Sequence, residues 1–72
     1  MSATATWEHH REDRIVVMTI EGEIDLSNCD DLERSIRRAC ASDEDELVLD
    51  LSGVSFIDSS GLRALYRGSG NG

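Results

Sequence analysis

The chain has 72 residues, of which 39% are hydrophobic, and its formal net charge at pH 7 is −8. This length allows one small domain that buries only about 60% of its unfolded surface, so we expect marginal stability and exclude a large enzyme. All seven cationic residues are arginines and they form no basic cluster, which argues against nucleic acid as a partner.

The N-terminal third of the chain is predicted to form a β-hairpin. Residues 5–9 alternate between apolar and polar types, and a polar turn over residues 11–14 separates them from the run Ile15 to Ile20. Because that run is β-branched and almost continuously apolar, we expect a strand that is covered on both faces. A polar loop is expected over residues 21–25.

A helix is predicted from Ser27 to about Cys40, because apolar residues recur there at spacings of three and four. Ser27 and Asp30 resemble a capping pair, and the acidic front and arginine-rich rear of the segment suit the helix dipole. The pairs Asp30–Arg34 and Glu33–Arg37 are expected to add support at i,i+4 spacing. The apolar stripe consists of Cys29, Leu32, Ile36, Ala39 and Cys40.

The remaining elements are a third strand and a short second helix. Residues 47–51 are apolar except for Asp50, and strand, helix and strand in this order predict a right-handed crossover between parallel strands. Residues 52–57 then link the third strand to a helix whose apolar stripe is Leu62, Leu65 and Tyr66. The domain is expected to span residues 4–67, and the glycine-rich residues 68–72 are expected to form a flexible tail.

The helix start Asp58-Ser59-Ser60-Gly61 is the most informative segment. A helix N-terminus presents unpaired N–H groups and the positive end of the dipole, so a phosphate carried by a hydroxyl there would be stabilised. Ordinary capping by Asp58 or Ser59 is an equally good explanation of these residue types. The local spacing leaves both interpretations open.

Three segments form a longer pattern that covers most of the chain. They are Val54-Ser55-Phe56-Ile57-Asp58-Ser59-Ser60-Gly61-Leu62, Gly22-Glu23-Ile24-Asp25 and Leu47-Val48-Leu49-Asp50-Leu51. Together they resemble the STAS domain of bacterial anti-sigma factor antagonists, with Ile24 in place of the family's leucine.

The resemblance implies a site. Ser59 would be phosphorylated by a partner anti-sigma factor that has ATP-dependent serine kinase activity, and Ser60 is the less favoured acceptor. The loop with Glu23 and Asp25 would contact the same partner. The implied partner-binding residues are Glu23, Asp25, Asp58, Ser59, Ser60 and Gly61.

The resemblance also implies a function. Such a protein binds the anti-sigma factor when unphosphorylated and releases it on serine phosphorylation, which regulates sigma-dependent transcription, as in a stress response. A serine phosphatase is the second expected partner. The chain is then a substrate and not an enzyme, and we expect no cofactor and no metal.

The expected fold is α/β, a STAS-like mixed β-sheet with helices packed against it. The family pattern continues through a longer second helix into another strand and helix, so we expect a partial domain that lacks its C-terminal strand and helix. Its sheet would have an unpaired edge, which is open to pairing with another copy of the chain. Two alternatives remain: a STAS accessory or scaffold module of a transporter or signalling complex that is not phosphorylated, and a non-functional truncated fragment.

Three other chemistries fit the residues less well. Asp50 is similar to the phosphoacceptor of a receiver domain, but the acidic pair of that domain is missing. Ser59 or Ser60 with His9 or His10 would need a nucleophile elbow, and the chain has no Gly-x-Ser-x-Gly segment. The acidic run at residues 43–46 lacks the glycine and the terminal glutamate of a calcium loop.

The compartment is predicted from the chain start and the cysteines. Residues 1–6 have no basic or apolar signal region, and no apolar stretch has the length needed to span a bilayer. Cys29 and Cys40 have no CxxC spacing and no histidine nearby, which argues against zinc and against a disulfide framework. We expect a cytoplasmic protein without a membrane partner, in which both cysteines are small core residues.

Overall fold

The fold is a three-stranded mixed sheet with two helices. The computed structural model describes residues 4–40 and 42–68. The sheet order is β1-β2-β3, with β1 antiparallel to β2 and β2 parallel to β3. The predicted α/β class and mixed sheet are therefore confirmed. The elements are β1 (Ala5–Glu12), β2 (Ile15–Ile24), α1 (Cys29–Ala39), β3 (Glu46–Ile57) and α2 (Ser59–Gly68).

The predicted hairpin is present, with a tighter turn than the sequence indicates. β1 continues to Glu12, which pairs with Ile15, so only Asp13 and Arg14 form the turn. Asp13 has a φ of 59°, in the left-handed region that aspartate tolerates better than most residues. The predicted four-residue turn is thus replaced by two residues of turn and two more of strand.

The sheet buries only one of its faces. Val16, Met18 and Ile20 are fully buried, whereas Ile15 on the other face of β2 is 44% exposed. β3 shows the same alternation, with Leu47 half-buried and Val48 46% exposed. The expectation that both strands are covered on both faces is wrong, because α1 and α2 both contribute to the single core and the described residues offer nothing to cover the opposite face.

Both strands are longer than predicted. β2 runs through the expected polar loop to Ile24, and β3 runs through the expected link over residues 52–57. The ladder between β2 and β3 contains register irregularities near Glu21 and Glu23. Both glutamate side chains remain exposed, so the strand continues through these polar residues without burying them. Gly22 has a φ of 99°, and a Cβ there would lie 2.4 Å from the Thr4 carbonyl oxygen, so only glycine fits.

Helix α1 has the predicted apolar stripe but a different start. Cys29, Leu32, Ile36 and Ala39 are buried, as predicted. The predicted capping pair of Ser27 and Asp30 is absent, because the helix begins after Asn28 and Ser27 donates to Asp25 instead. The ion pair of Glu33 with Arg37 is confirmed at 3.1 Å, whereas Arg34 pairs with Asp31 and not with Asp30.

Arg11 joins the hairpin to the far end of α1. Its guanidinium donates to both carboxylate oxygens of Asp45, at 2.8 and 2.7 Å, and to the Ala39 carbonyl oxygen at 3.1 Å. At the other end of β1, Trp7 Nε1 donates to Ser35 Oγ at 2.9 Å. The two side chains hold β1 and α1 together, since they lie on the same face of the strand.

Helix α2 packs through Leu65, as the apolar pattern predicts, and also through small residues, which the pattern did not predict. Its buried residues are Gly61, Ala64, Leu65 and Gly68. Leu62 and Tyr66, placed in the predicted stripe, are 56% and 59% exposed. Gly68, predicted to belong to the tail, is the last residue of α2, and a Cβ there would lie 2.9 Å from Ile36 side-chain atoms. The rest of the predicted tail, residues 69–72, lies outside the described residues.

Candidate functional site

The two predicted site segments lie side by side at one end of the sheet. β2 and β3 are parallel, so the loops that follow them leave from the same edge. Ile24 pairs with Ile57, and the Asp58 N–H donates to the Ile24 carbonyl oxygen at 3.2 Å. The structure therefore brings the segment Glu23 to Asp25 next to the start of α2.

Asp58 is the cap of α2. Its Oδ1 accepts a hydrogen bond from the Gly61 N–H at 3.0 Å, which satisfies one of the unpaired donors of the first turn. The side chain is half-buried. Of the residues that could cap α2, Asp58 is thus the one that does so, and neither serine acts as the cap.

Ser59 is the first residue of α2 and is exposed, whereas Ser60 is half-buried. Neither hydroxyl makes a hydrogen bond to any residue that the structure describes. A partner protein approaching this end of the sheet would meet the Ser59 hydroxyl before that of Ser60. Accessibility therefore favours Ser59 over Ser60 as the phosphorylated residue, as the family resemblance also implies.

Gly61 seats the start of α2 on the strand ends. A Cβ at this position would lie 2.6 Å from Ile57 Cγ1 and 2.7 Å from Ile24 Cγ2. Real Cβ atoms do not approach other atoms so closely, so any larger residue would push the helix away from β2 and β3. The glycine fixes where Ser59 stands relative to the neighbouring loop.

Asp25 shapes its own loop. Its Oδ1 accepts hydrogen bonds from the Ser27 N–H at 2.8 Å and the Ser27 hydroxyl at 2.6 Å. These two bonds favour the charged form and lower the pKa of the Asp25 carboxyl. Glu23, in contrast, is exposed, and its carboxylate binds none of the described residues. Of the two predicted acidic contacts, Glu23 is the one whose carboxylate remains available to a partner.

Asn28 supports the candidate site, and the sequence analysis did not single it out. Its Oδ1 accepts from the Asp25 N–H at 3.0 Å, and its Nδ2 donates to the Glu23 carbonyl oxygen at 2.9 Å. An asparagine before a helix usually indicates capping of the helix that follows. Here it holds the loop that precedes the helix, and the sequence contains no signal for that direction.

The charges around Ser59 are mostly negative. Glu23, Asp25 and Asp58 come from the two adjacent segments, and Arg63, four residues after Ser59, makes no ion pair within residues 4–40 and 42–68. Cys29 is buried beneath these loops. Its pKa is raised first by burial and further by Asp30 and Asp58, so the thiol stays neutral.

The arrangement offers little for catalysis or metal binding. His9 and His10 pair with Met18 and Val17, six and seven residues from Ile24, which is about 20 Å along a strand. Neither histidine can therefore serve as a base for Ser59. Within the described residues, no group of three histidine, cysteine or carboxylate side chains could hold a metal ion. Neither described helix is long and apolar enough to cross a membrane.

Comparison with known proteins gives a consistent result. The family model for the STAS domain matches residues 6–68. The anti-sigma-F factor antagonist RsfB of Mycobacterium tuberculosis, in two strains, is 41% identical over 64 residues, which are 89% of this chain. The match covers 51% of that protein, so the chain spans about half the length of the curated relatives it matches.

A solved structure shares the fold. The crystal structure of an anti-sigma factor antagonist from Mycobacterium paratuberculosis matches with a TM-score of 0.78 and 34% sequence identity. The match covers 90% of this chain and 56% of that one. The likeness therefore extends over most of the chain.

Proposed function

The chain belongs to the STAS domain family, and we propose that it acts as an anti-sigma factor antagonist that binds an anti-sigma factor through the surface around Ser59. In this proposal the partner is also a serine kinase that uses ATP to phosphorylate Ser59. Binding of the unphosphorylated chain releases a sigma factor, and phosphorylation ends that binding. The chain is the substrate in this reaction, and a serine phosphatase restores it.

One observation carries the proposal most directly. Ser59 is an exposed hydroxyl with no hydrogen bond to a described residue, at the first position of a helix whose cap is supplied by Asp58. It stands beside a loop that Asp25 and Asn28 hold in place. An exposed hydroxyl that makes no hydrogen bond to the described residues, beside a loop that hydrogen bonds hold in place, suits a phosphorylation that a partner protein recognises.

Charge gives the switch a physical basis. A phosphate on Ser59 would add about −1.5 to −2 units of charge and three acceptor oxygens. The added charge would lie beside Glu23, Asp25 and Asp58, and the helix N-terminus and Arg63 would offset part of the repulsion. A differential of about 4 kcal/mol between the two states would change partner affinity roughly a thousandfold.

The assignment of Ser59 is tested by phosphorylation of the purified chain. The chain is incubated with a cognate anti-sigma kinase and ATP, and the phosphate is mapped by mass spectrometry. We expect one phosphate on Ser59, none in Ser59→Ala and full incorporation in the matched Ser60→Ala variant. Phosphate incorporation that persists in Ser59→Ala would contradict the assignment. Tight binding of the kinase without phosphorylation would favour a scaffold module.

A further inference from the structure

The sheet face opposite the helices over residues 15–21 of β2 and their partners, here called the open face, is a surface next to the Ser59 site. Side chains alternate along each strand, so the residues that neighbour buried Val16, Met18 and Ile20 point to the other side. No described element covers them. The open face consists of Thr6, Glu8, His10, Glu12, Ile15, Val17, Thr19, Glu21, Glu46, Val48 and Asp50, and the same side of the sheet continues beyond it to the exposed pair Glu23 and Phe56.

An apolar strip runs through the middle of the open face. Val17 of β2 lies directly opposite Val48 of β3 in the parallel ladder, and Ile15 is the next residue of β2 on this side. Ile15 and Val48 are 44% and 46% exposed, and Val17 is half-buried. Cross-strand neighbours at this spacing form one continuous contact patch.

Carboxylates frame this strip on both sides. β1 contributes Glu8 and Glu12, and β3 contributes Glu46 and Asp50, with the apolar residues of β2 between them. A fifth carboxylate, Glu21, lies at one end of the face. The only residue with a basic side chain on the open face of the described sheet is His10.

The arginines nearest to the open face are directed elsewhere. Arg11 reaches the Ala39 carbonyl oxygen on the helix side of the sheet, and Arg14 in the turn pairs with Glu44 at 3.7 Å. Among the described residues, no arginine lies on the open face to neutralise its five carboxylates. A second copy of the chain would bring like charges together here, so self-association through this face is disfavoured.

We propose that the open face binds a basic amphipathic helix of a partner protein. An α-helix with its side chains is about 10 to 12 Å wide, and β1 and β3 lie about 10 Å apart across β2, so the widths match. The apolar stripe of such a helix covers Ile15, Val17 and Val48. Its flanking lysines or arginines meet the carboxylates of β1 on one side and of β3 on the other.

A depression at one end of the face supports this occupant. Its volume is about 170 Å³, and its lining includes Thr6, Glu8, Thr19 and Glu21. A lysine or arginine side chain can lay its apolar stem there and place its charge between two carboxylates. Ser59, Asp25 and Asp58 lie outside the open face, and of the site residues Glu23 alone continues the row of Glu21 toward them, so the peptide test below does not depend on phosphorylation of Ser59.

The test uses the complete 72-residue chain and a synthetic 15-residue leucine-lysine peptide with one apolar helical stripe. Two control peptides are a scrambled sequence of equal composition and a leucine-glutamate analogue. We expect the striped peptide to shift the NMR signals of Thr6, Val17 and Val48 and to bind at least tenfold more tightly than either control. Equal binding of the scrambled peptide would overturn the proposal, as would shifts confined to α1 and α2.

Two variants separate the strip from general charge attraction. Val48→Lys places a cation in the strip and should weaken peptide binding at least tenfold, whereas Leu62→Lys makes the same change on exposed α2 and should weaken it far less. The double variant Glu8→Gln with Glu12→Gln removes the two carboxylates of β1 without changing the core. Its control, Asp30→Asn with Asp43→Asn, removes two exposed carboxylates outside the open face. If each variant and its control lost the same amount of peptide affinity, the attraction would be non-specific and the proposal would be contradicted.

Discussion

Neighbouring residues at the start of α2 have separate tasks. Asp58 caps the helix, Ser59 projects into solvent, and Gly61 allows the helix to touch the strand ends. The sequence predicted the helix start and its capping chemistry from residue types. It could not separate the capping residue from the free hydroxyl, because aspartate and serine are both preferred at that position.

The cap makes a stability prediction. Asp58→Ala leaves the Gly61 N–H without its acceptor, so we expect a loss of about 1 kcal/mol and a lower melting temperature by about 4 to 8 °C. Asp58→Ser retains an acceptor and should lose much less. Thermal unfolding followed by circular dichroism measures both, and equal melting temperatures for wild type and Asp58→Ala would contradict the capping role.

The close contact between Gly61 and the ends of β2 and β3 leads to a second prediction. Gly61→Ala forces a Cβ against Ile57 and Ile24, so we expect a loss of about 1 to 3 kcal/mol in the free energy of unfolding. Arg63→Ala, at an exposed position of the same helix, is the matched control and should change it by less than about 0.5 kcal/mol. Urea unfolding distinguishes them; a neutral or stabilising Gly61→Ala would show that the close approach is not required.

The Asp25 loop makes a pH prediction. The Asp25 pKa is lowered in the folded chain, so its hydrogen bonds contribute stability that is present above the ordinary aspartate pKa and lost as pH falls through the lowered value. We expect the Ser27 amide signal to move only once the pH falls below the ordinary aspartate pKa. An NMR titration checks this, with Asp25→Asn as the variant that removes the transition; a midpoint above the ordinary value would be the opposite result.

At the scale of elements, periodicity predicted two helices and three strands, and the structure contains them. What it could not predict is where β2 and β3 end, because Gly22 and the polar residues around it continue the strand through local irregularities. Of the predicted apolar stripe of α2, Leu65 is buried but Leu62 and Tyr66 are not. The close contacts of this helix use glycine and alanine, which carry little hydrophobic signal, while Leu62 and Tyr66 face outward.

The attachment of β1 to α1 depends on Trp7 as well as on Arg11. Trp7→Phe keeps a ring against the core but removes the N–H that binds Ser35 Oγ, so we expect a loss of about 1 kcal/mol. Ser35→Ala removes the acceptor of the same bond. A double-mutant cycle in urea measures the coupling; strictly additive losses would mean that this hydrogen bond does not join the two elements.

At the scale of the whole molecule, the core is small and the surface strongly acidic. The buried apolar residues come from β2, α1 and α2, and β1 and β3 contribute only partly buried side chains. The composition predicted this modest core, and the family resemblance supplied the candidate site. Neither could predict that one sheet face stays open, since the apolar runs of β2 and β3 would equally suit a sheet covered on both sides.

The central claim is that phosphate on Ser59 controls binding to an anti-sigma factor, and the most direct test is to compare affinities in the two states. Isothermal titration calorimetry would measure the dissociation constant of the anti-sigma factor for the unphosphorylated chain, the Ser59-phosphorylated chain and Ser59→Ala. We predict tight binding of the first and third and binding of the phosphorylated chain that is weaker by roughly a thousandfold, matching about 4 kcal/mol. Equal affinities of the phosphorylated and unphosphorylated chains would contradict the account.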